Sequence, residues 1–150
     1  MKAFNFSLFD QNSKLYKLSD YLGKWVVVYF YPKDDTPGCT KEACTFRDLS
    51  AEYKKRKVMI FGISKDSIES HKRFAEKYHL NFPILSDEEK KVIKEYQAWG
   101  EKKFMGRTFE GVLRKTYLID PKGEIVKIYE KVNPLFHGDE ILKDLDQLIK

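Results

Sequence analysis

The run Trp25-Val26-Val27-Val28-Tyr29-Phe30-Tyr31 constrains the chain more than any other stretch: seven consecutive apolar or aromatic residues, three β-branched and four aromatic. It is far too short for a membrane span and has no charged position, so it predicts a central strand buried on both faces of a covered sheet. Pro32-Lys33-Asp34-Asp35-Thr36-Pro37-Gly38 follows, rich in residues that favour turns, and a helix-compatible stretch begins at or just after Cys39. A helix N-terminus presents free backbone N–H groups and the positive end of the dipole, which stabilise a thiolate over a thiol. Cys39 is therefore the first candidate for chemistry.

From Thr40 to about Lys55 a helical stripe is filled by Ala43, Phe46, Leu49, Ser50 and Tyr53, with Cys39 at its head. Cys44 falls about 160° from the centre of that stripe, toward solvent or a loop. Before the strand, residues 1 to 24 alternate loosely, with Phe4, Phe6 and Leu8, then Leu15, Tyr16 and Leu18, around Asp10-Gln11-Asn12-Ser13, predicting an N-terminal β-hairpin extension. After it, Val58 to Ile63 reads as a second buried strand. Asp66 with Glu69, and Ser86 with Glu89, make capping-box patterns before helices reaching about Tyr78 and Tyr96. Phe82 to Leu85 is a short extended segment between them. Gln97 to Val112 shows no clear periodicity and predicts a long loop, a feature more often functional than idle. Arg114 to Asp120 and Glu124 to Tyr129 flank Pro121-Lys122-Gly123 as a hairpin, and Asp139 to about Ile149 is a final amphipathic helix. The order predicts one α/β domain over residues 1–150, of thioredoxin-like topology, with a mixed central sheet flanked by helices.

Composition narrows the function. Two cysteines five positions apart in 150 residues do not make the framework of a small secreted domain, and no apolar run suits a membrane span or signal peptide. A cytoplasmic protein is expected. The net charge of +5 comes from scattered residues, and the densest run, Lys54-Lys55-Arg56-Lys57, closes a helix where cations suit the dipole. A solvated face is favoured over a nucleic-acid surface. With two cysteines and dispersed histidines no metal site is expected. His71 reads as a packed helix histidine, and His79 and His137 sit near helix ends.

Pro32, Thr36 and Cys39 in the spacing Pro-x-x-x-Thr-x-x-Cys, within Thr36-Pro37-Gly38-Cys39-Thr40 and with Cys44 following, resemble the active-site signature of the peroxiredoxins. The likeness is to the bacterioferritin comigratory protein (PrxQ) class, and it extends to Trp99-Gly100-Glu101-Lys102-Lys103-Phe104-Met105-Gly106 and to Arg114. The resemblance implies a thioredoxin fold and thiol-dependent reduction of hydrogen peroxide or organic hydroperoxides, without metal, haem or flavin. It implies Cys39 as peroxidatic thiolate, Cys44 as resolving thiol, Thr36 and Arg114 as orienting and polarising groups, and Pro32 as a shield. A thioredoxin-like dithiol is the expected reductant, and a monomer, or at most a weak dimer, the expected form. No nucleic-acid or membrane partner is implied.

Each role has a chemical reason. Sulfur must attack one peroxide oxygen in line while the departing oxygen gains charge, and a guanidinium such as that of Arg114 is suited to stabilise it. The Thr36 hydroxyl can donate to sulfur and accept from peroxide. Across an intact helix the Cα atoms of Cys39 and Cys44 lie about 8.6 Å apart, beyond the roughly 7 Å limit for a disulfide. Joining them requires local unwinding of about residues 38 to 46. Glu42 reads equally as a helix-capping group and as a partner of Arg114; Asp34 and Asp35 are expected to point to water. Trp99, Phe104 and Met105 read either as pocket rim or contact surface, or as plain packing of a long loop. A non-catalytic peroxide sensor using the same thiol is the alternative from another class.

Overall fold

The computed structural model describes residues 1–149; Lys150, the last residue of the expected domain, lies outside the described residues. The apolar run forms a strand, Trp25–Phe30, whose alternating side chains feed two cores. It is β3 in chain order, after the antiparallel pair β1 (Ser7–Phe9) and β2 (Leu15–Lys17), which together form the expected N-terminal hairpin. β3 pairs in parallel with β4 (Val58–Ser64) and antiparallel with β8 (Lys115–Ile119), and β4 pairs in parallel with β5 (Ile84–Ser86). β9 (Ile125–Tyr129) closes one edge, giving a seven-stranded mixed sheet in the order β2-β1-β5-β4-β3-β8-β9.

Helices cover both faces. On one, Val27, Tyr29 and Tyr31 pack against α1 (Pro37–Asp48), α2 (Ser50–Lys55), α3 (Ile68–Tyr78) and α5 (His137–Leu148) through Phe46, Tyr53, Phe74 and Leu145. On the other, Val26, Val28 and Phe30 meet Val92 and Ile93 of α4 (Lys91–Glu95), with Phe6 and Leu18 from the N-terminal region. Burying a side chain of this size contributes about 1.5–3 kcal/mol, so β3, with every residue from Val26 to Phe30 enclosed, is the principal anchor of the fold.

Four local expectations are corrected. The helix expected from Thr40 to Lys55 begins at Pro37, whose fixed φ suits the first helical position, and breaks at Leu49. At the break the Asn81 side chain donates to the Arg47 carbonyl and to the Ser50 hydroxyl, bridging the end of one helix and the start of the next. The cap of α3 is Ser67, whose hydroxyl accepts from Ser70 N–H, because the Asp66 carboxylate is taken by Asp34 N–H and the Ser64 hydroxyl. The Ser86 and Glu89 pattern starts no helix: the Ser86 hydroxyl donates to the Asp66 carbonyl, and α4 forms only from Lys91, with Asp87 accepting from Ile93 N–H.

The largest correction concerns Gln97 to Val112. It is not an irregular loop but a hairpin of its own, β6 (Trp99–Phe104) against β7 (Arg107–Val112), turning through Met105 and Gly106, both at positive φ. Two such residues are what a tight two-residue hairpin turn demands. Most of the hairpin is exposed, so no hydrophobic alternation marks it in the sequence.

Candidate active site

The C-terminal end of β3 delivers the site. Tyr31 continues the strand's pairing through its N–H to the Ile63 carbonyl, 3.1 Å, and the chain then turns through Pro32 to Thr36 into α1. Thr36 is the N-cap in an extended conformation, its carbonyl accepting from Thr40 N–H at 2.8 Å. Cys39 is the third residue of the first turn and only 1 % exposed. The backbone N–H groups of that turn have no intrahelical acceptors, as in any helix start.

Arg114, directly before β8, brings the second component. Its Nη2 donates to Cys39 Sγ at 3.3 Å, and its Nη1 donates to Glu42 Oε1 at 2.7 Å. The guanidinium reaches the sulfur across Gly38, where an added Cβ would lie 3.1 Å from Nη2, so glycine permits the approach. Glu42 is fully buried one helical turn past Cys39, and of its two readings the structure gives the arginine partner. Burial pushes its carboxyl up to about 7, against the opposing pull of Arg114. Among the described residues its second oxygen, Oε2, has no hydrogen-bond partner, nor has the buried Tyr29 hydroxyl.

The remaining candidates are placed differently. The Thr36 hydroxyl donates to the Lys33 carbonyl at 2.9 Å rather than to the sulfur, which orders the loop and leaves the oxygen's lone pairs to accept. Pro32 is half-buried at the start of the same loop. Cys44 sits half-buried in α1, and burial pushes its thiol pKa up, opposed by Arg47 and reinforced by Asp48. Both thiols are free, on one continuous helix.

Sequence reasoning missed a polar network behind the loop. Asp34 does not point to water; it is buried, accepting from Tyr31 hydroxyl at 2.6 Å and Ser70 hydroxyl at 2.8 Å and facing His71 Nδ1 at 2.7 Å. His71 Nε2 faces the Leu85 carbonyl, which can only accept, so that nitrogen carries a proton. Asp34, Asp66 and His71 come within metal-chelating distance of one another, but their facing atoms are engaged in these bonds. Asp35 stays exposed and is held below the usual carboxylate range by bonds from Lys77 and Tyr78. The loop is thus tied to α3 at two adjacent residues. His79 is the left-handed C-cap of α3, and His137 opens α5 between Glu140 and Thr116. Nothing in residue spacing marks Asp34 and His71 as partners, since 37 positions separate them.

The hairpin stands beside the site. Trp99 is held by Glu110 at 3.0 Å and flanked by the ammonium groups of Lys90 and Lys94, so it serves packing, whereas Phe104 and Met105 at the tip are 67 % and 87 % exposed. A buried sulfur at a helix start, faced by an arginine that a buried carboxylate holds in place, can present a nucleophile and stabilise negative charge on a departing atom.

The family model described as the AhpC/TSA family matches residues 1–128. Peroxiredoxin Bcp of Escherichia coli K12 is 46% identical over 142 residues, covering 95% of this chain and 91% of that protein. Peroxiredoxin Bcp of Bacillus subtilis is 42% identical over 147 residues, covering 98% and 94%. A solved structure of the bacterioferritin comigratory protein of Xanthomonas campestris, studied for its alkyl peroxide reduction activity, superposes with a TM-score of 0.91 at 34% identity, covering 97% of this chain and 92% of that one. The sheet and its flanking helices are those of the thioredoxin-fold peroxiredoxins.

Proposed function

The chain belongs to the AhpC/TSA family, and from that premise we propose that it is a peroxidase whose single domain reduces hydroperoxides through Cys39 and Cys44. The observation that carries the assignment is the 3.3 Å contact between Arg114 Nη2 and Cys39 Sγ in the first turn of α1. The Cys39 thiolate attacks the terminal oxygen of the peroxide. The O–O bond breaks, Cys39 becomes a sulfenic acid, and the departing alkoxide or hydroxide takes up a proton to leave as alcohol or water. Arg114 stabilises charge on the sulfur before attack and on the leaving oxygen after it, oriented by Glu42. Thr36 accepts a hydrogen bond from the peroxide with its free lone pairs, and Pro32, lacking an N–H, keeps water from the mouth.

The Cys44 thiol then attacks the sulfenic sulfur, releasing water and forming a disulfide, and an external thioredoxin-like dithiol returns both thiols by exchange. The protein works as a cytoplasmic monomer in this reading. Among the described residues no helix is long and apolar enough to cross a membrane.

Rapid mixing with hydrogen peroxide, followed by intact mass, tests the assignment. One equivalent should remove two hydrogen atoms from the wild-type mass, Cys39→Ser should abolish the first oxidation, and Cys44→Ser should accumulate a species heavier by one oxygen. An intramolecular disulfide in Cys44→Ser would contradict it, and a slow single oxidation without turnover under any dithiol would make the protein a sensor.

A further inference from the structure

Lys102 occupies a position that the reaction described so far does not use. It stands in β6 opposite Phe109, and its stem runs past Gly111, where an added Cβ would lie 3.2 Å from Lys102 Cδ. Its ammonium donates to the Val112 carbonyl at 3.0 Å. Val112 is two residues before Arg114, so the hairpin brings this charge to the stretch of chain that delivers Arg114, where the ammonium feels Arg114 and Cys39, with Lys65 as a further cation. Burial and the nearby Arg114 both disfavour the charged ammonium, whereas negative charge at Cys39 favours it. An anion arriving beside it would relieve that repulsion.

Two cations that act on the site, Arg114 and Lys102, are engaged differently. Arg114 is engaged by Glu42 and Cys39, while Lys102 has three donors and gives one to Val112. Its remaining donors have no assigned task in peroxide cleavage.

We infer that Lys102 is a specificity-determining residue: its ammonium receives an anionic group carried a few bonds from the O–O bond, so that carboxylate-bearing organic hydroperoxides are reduced in preference to neutral ones. The inference rests on Cys39 being the attacking thiolate. Lys102 takes no part in the bond changes. Sulfur gains the terminal oxygen, the O–O bond breaks, and the substrate alkoxide takes its proton from water while its carboxylate stays on the ammonium.

The test compares a short tertiary hydroperoxide bearing a carboxylate with its methyl ester, a pair alike at the peroxide and different in charge. Wild-type protein should oxidise Cys39 with the acid about tenfold faster than with the ester, a ratio that shrinks as salt is added. Lys102→Met keeps an unbranched stem beside Gly111 and removes the charge, so the ratio should fall to near one, and Lys102→Arg should restore most of it. A ratio equal in wild type and Lys102→Met, or insensitive to salt, overturns the inference, as does a Lys102→Met variant that slows acid and ester to the same degree. Failure of the underlying reading looks different: wild-type protein that leaves acid, ester and hydrogen peroxide all unreduced, with Cys39 unoxidised, overturns both.

Discussion

Glu42 lies between the two cysteines with one oxygen on Arg114 and the other unpartnered, and this gives the protein a pH response of its own. Burial raises its carboxyl from 4.5 to about 7. In the window between those values the native state holds a proton that the unfolded chain has released, so stability falls as pH rises through it and levels off above. The span corresponds to at most about 3–4 kcal/mol, at roughly 1.4 kcal/mol per unit. Glu42→Gln keeps an acceptor for Arg114 and removes the titration, so denaturant unfolding between about pH 5 and pH 8 should lose this slope. A slope unchanged in Glu42→Gln would place its origin elsewhere. At this scale the sequence was legible only where chemistry is local. Cys39 stands out through the turn and helix start beside it, and Arg114 through family likeness. Glu42 stayed ambiguous because a carboxylate three residues past Cys39, the helix start expected from sequence, serves capping and pairing equally well, and only the fold brings Arg114 to it from 72 positions away.

At the scale of elements, α1 is a unit separated from α2 by the break at Leu49. Resolution has to unwind part of it, and Phe46 limits how far. That ring stacks on Tyr29 at 4.8 Å and packs edge-on against Tyr53, Phe82 and His137, and removing such a group from a core costs about 3–5 kcal/mol. Unwinding therefore stops short of Phe46, narrower than the segment of residues 38 to 46 suggested by spacing alone. Amide hydrogen exchange should show the difference: on oxidation, residues Thr40 to Thr45 lose protection while α2 and β3 keep theirs. Loss running past Leu49 into α2 would contradict it. β3 and the core stripe of α1 were readable because burial imposes a period on sequence. The β6–β7 hairpin was not, since its strands carry Gly, Glu and Lys on faces that stay wet and only the Met105-Gly106 turn betrays it.

Across the whole molecule, the network from Tyr31 through Asp34 to His71 and the Leu85 carbonyl ties the catalytic loop to α3 and β5. Its two buried members depend on each other, so Asp34→Asn and His71→Gln should each destabilise the fold, and the double variant should cost less than their sum by about 1–3 kcal/mol. Strict additivity in denaturant unfolding would mean the pair is not coupled. Such long-range pairing is invisible to any reading by period or motif, because topology alone joins its ends. The folded α1 has one more consequence. Since the disulfide forms only when the start of α1 is unwound, the free energy of refolding it belongs to the reduced state. Every 1.4 kcal/mol of that energy raises the reduction potential of the couple by about 30 mV. Ala43 and the Glu42–Arg114 pair, which lie in the segment that unwinds, thus act as redox determinants without touching the bond, and changes that loosen them would make the disulfide a poorer oxidant of its reducing partner.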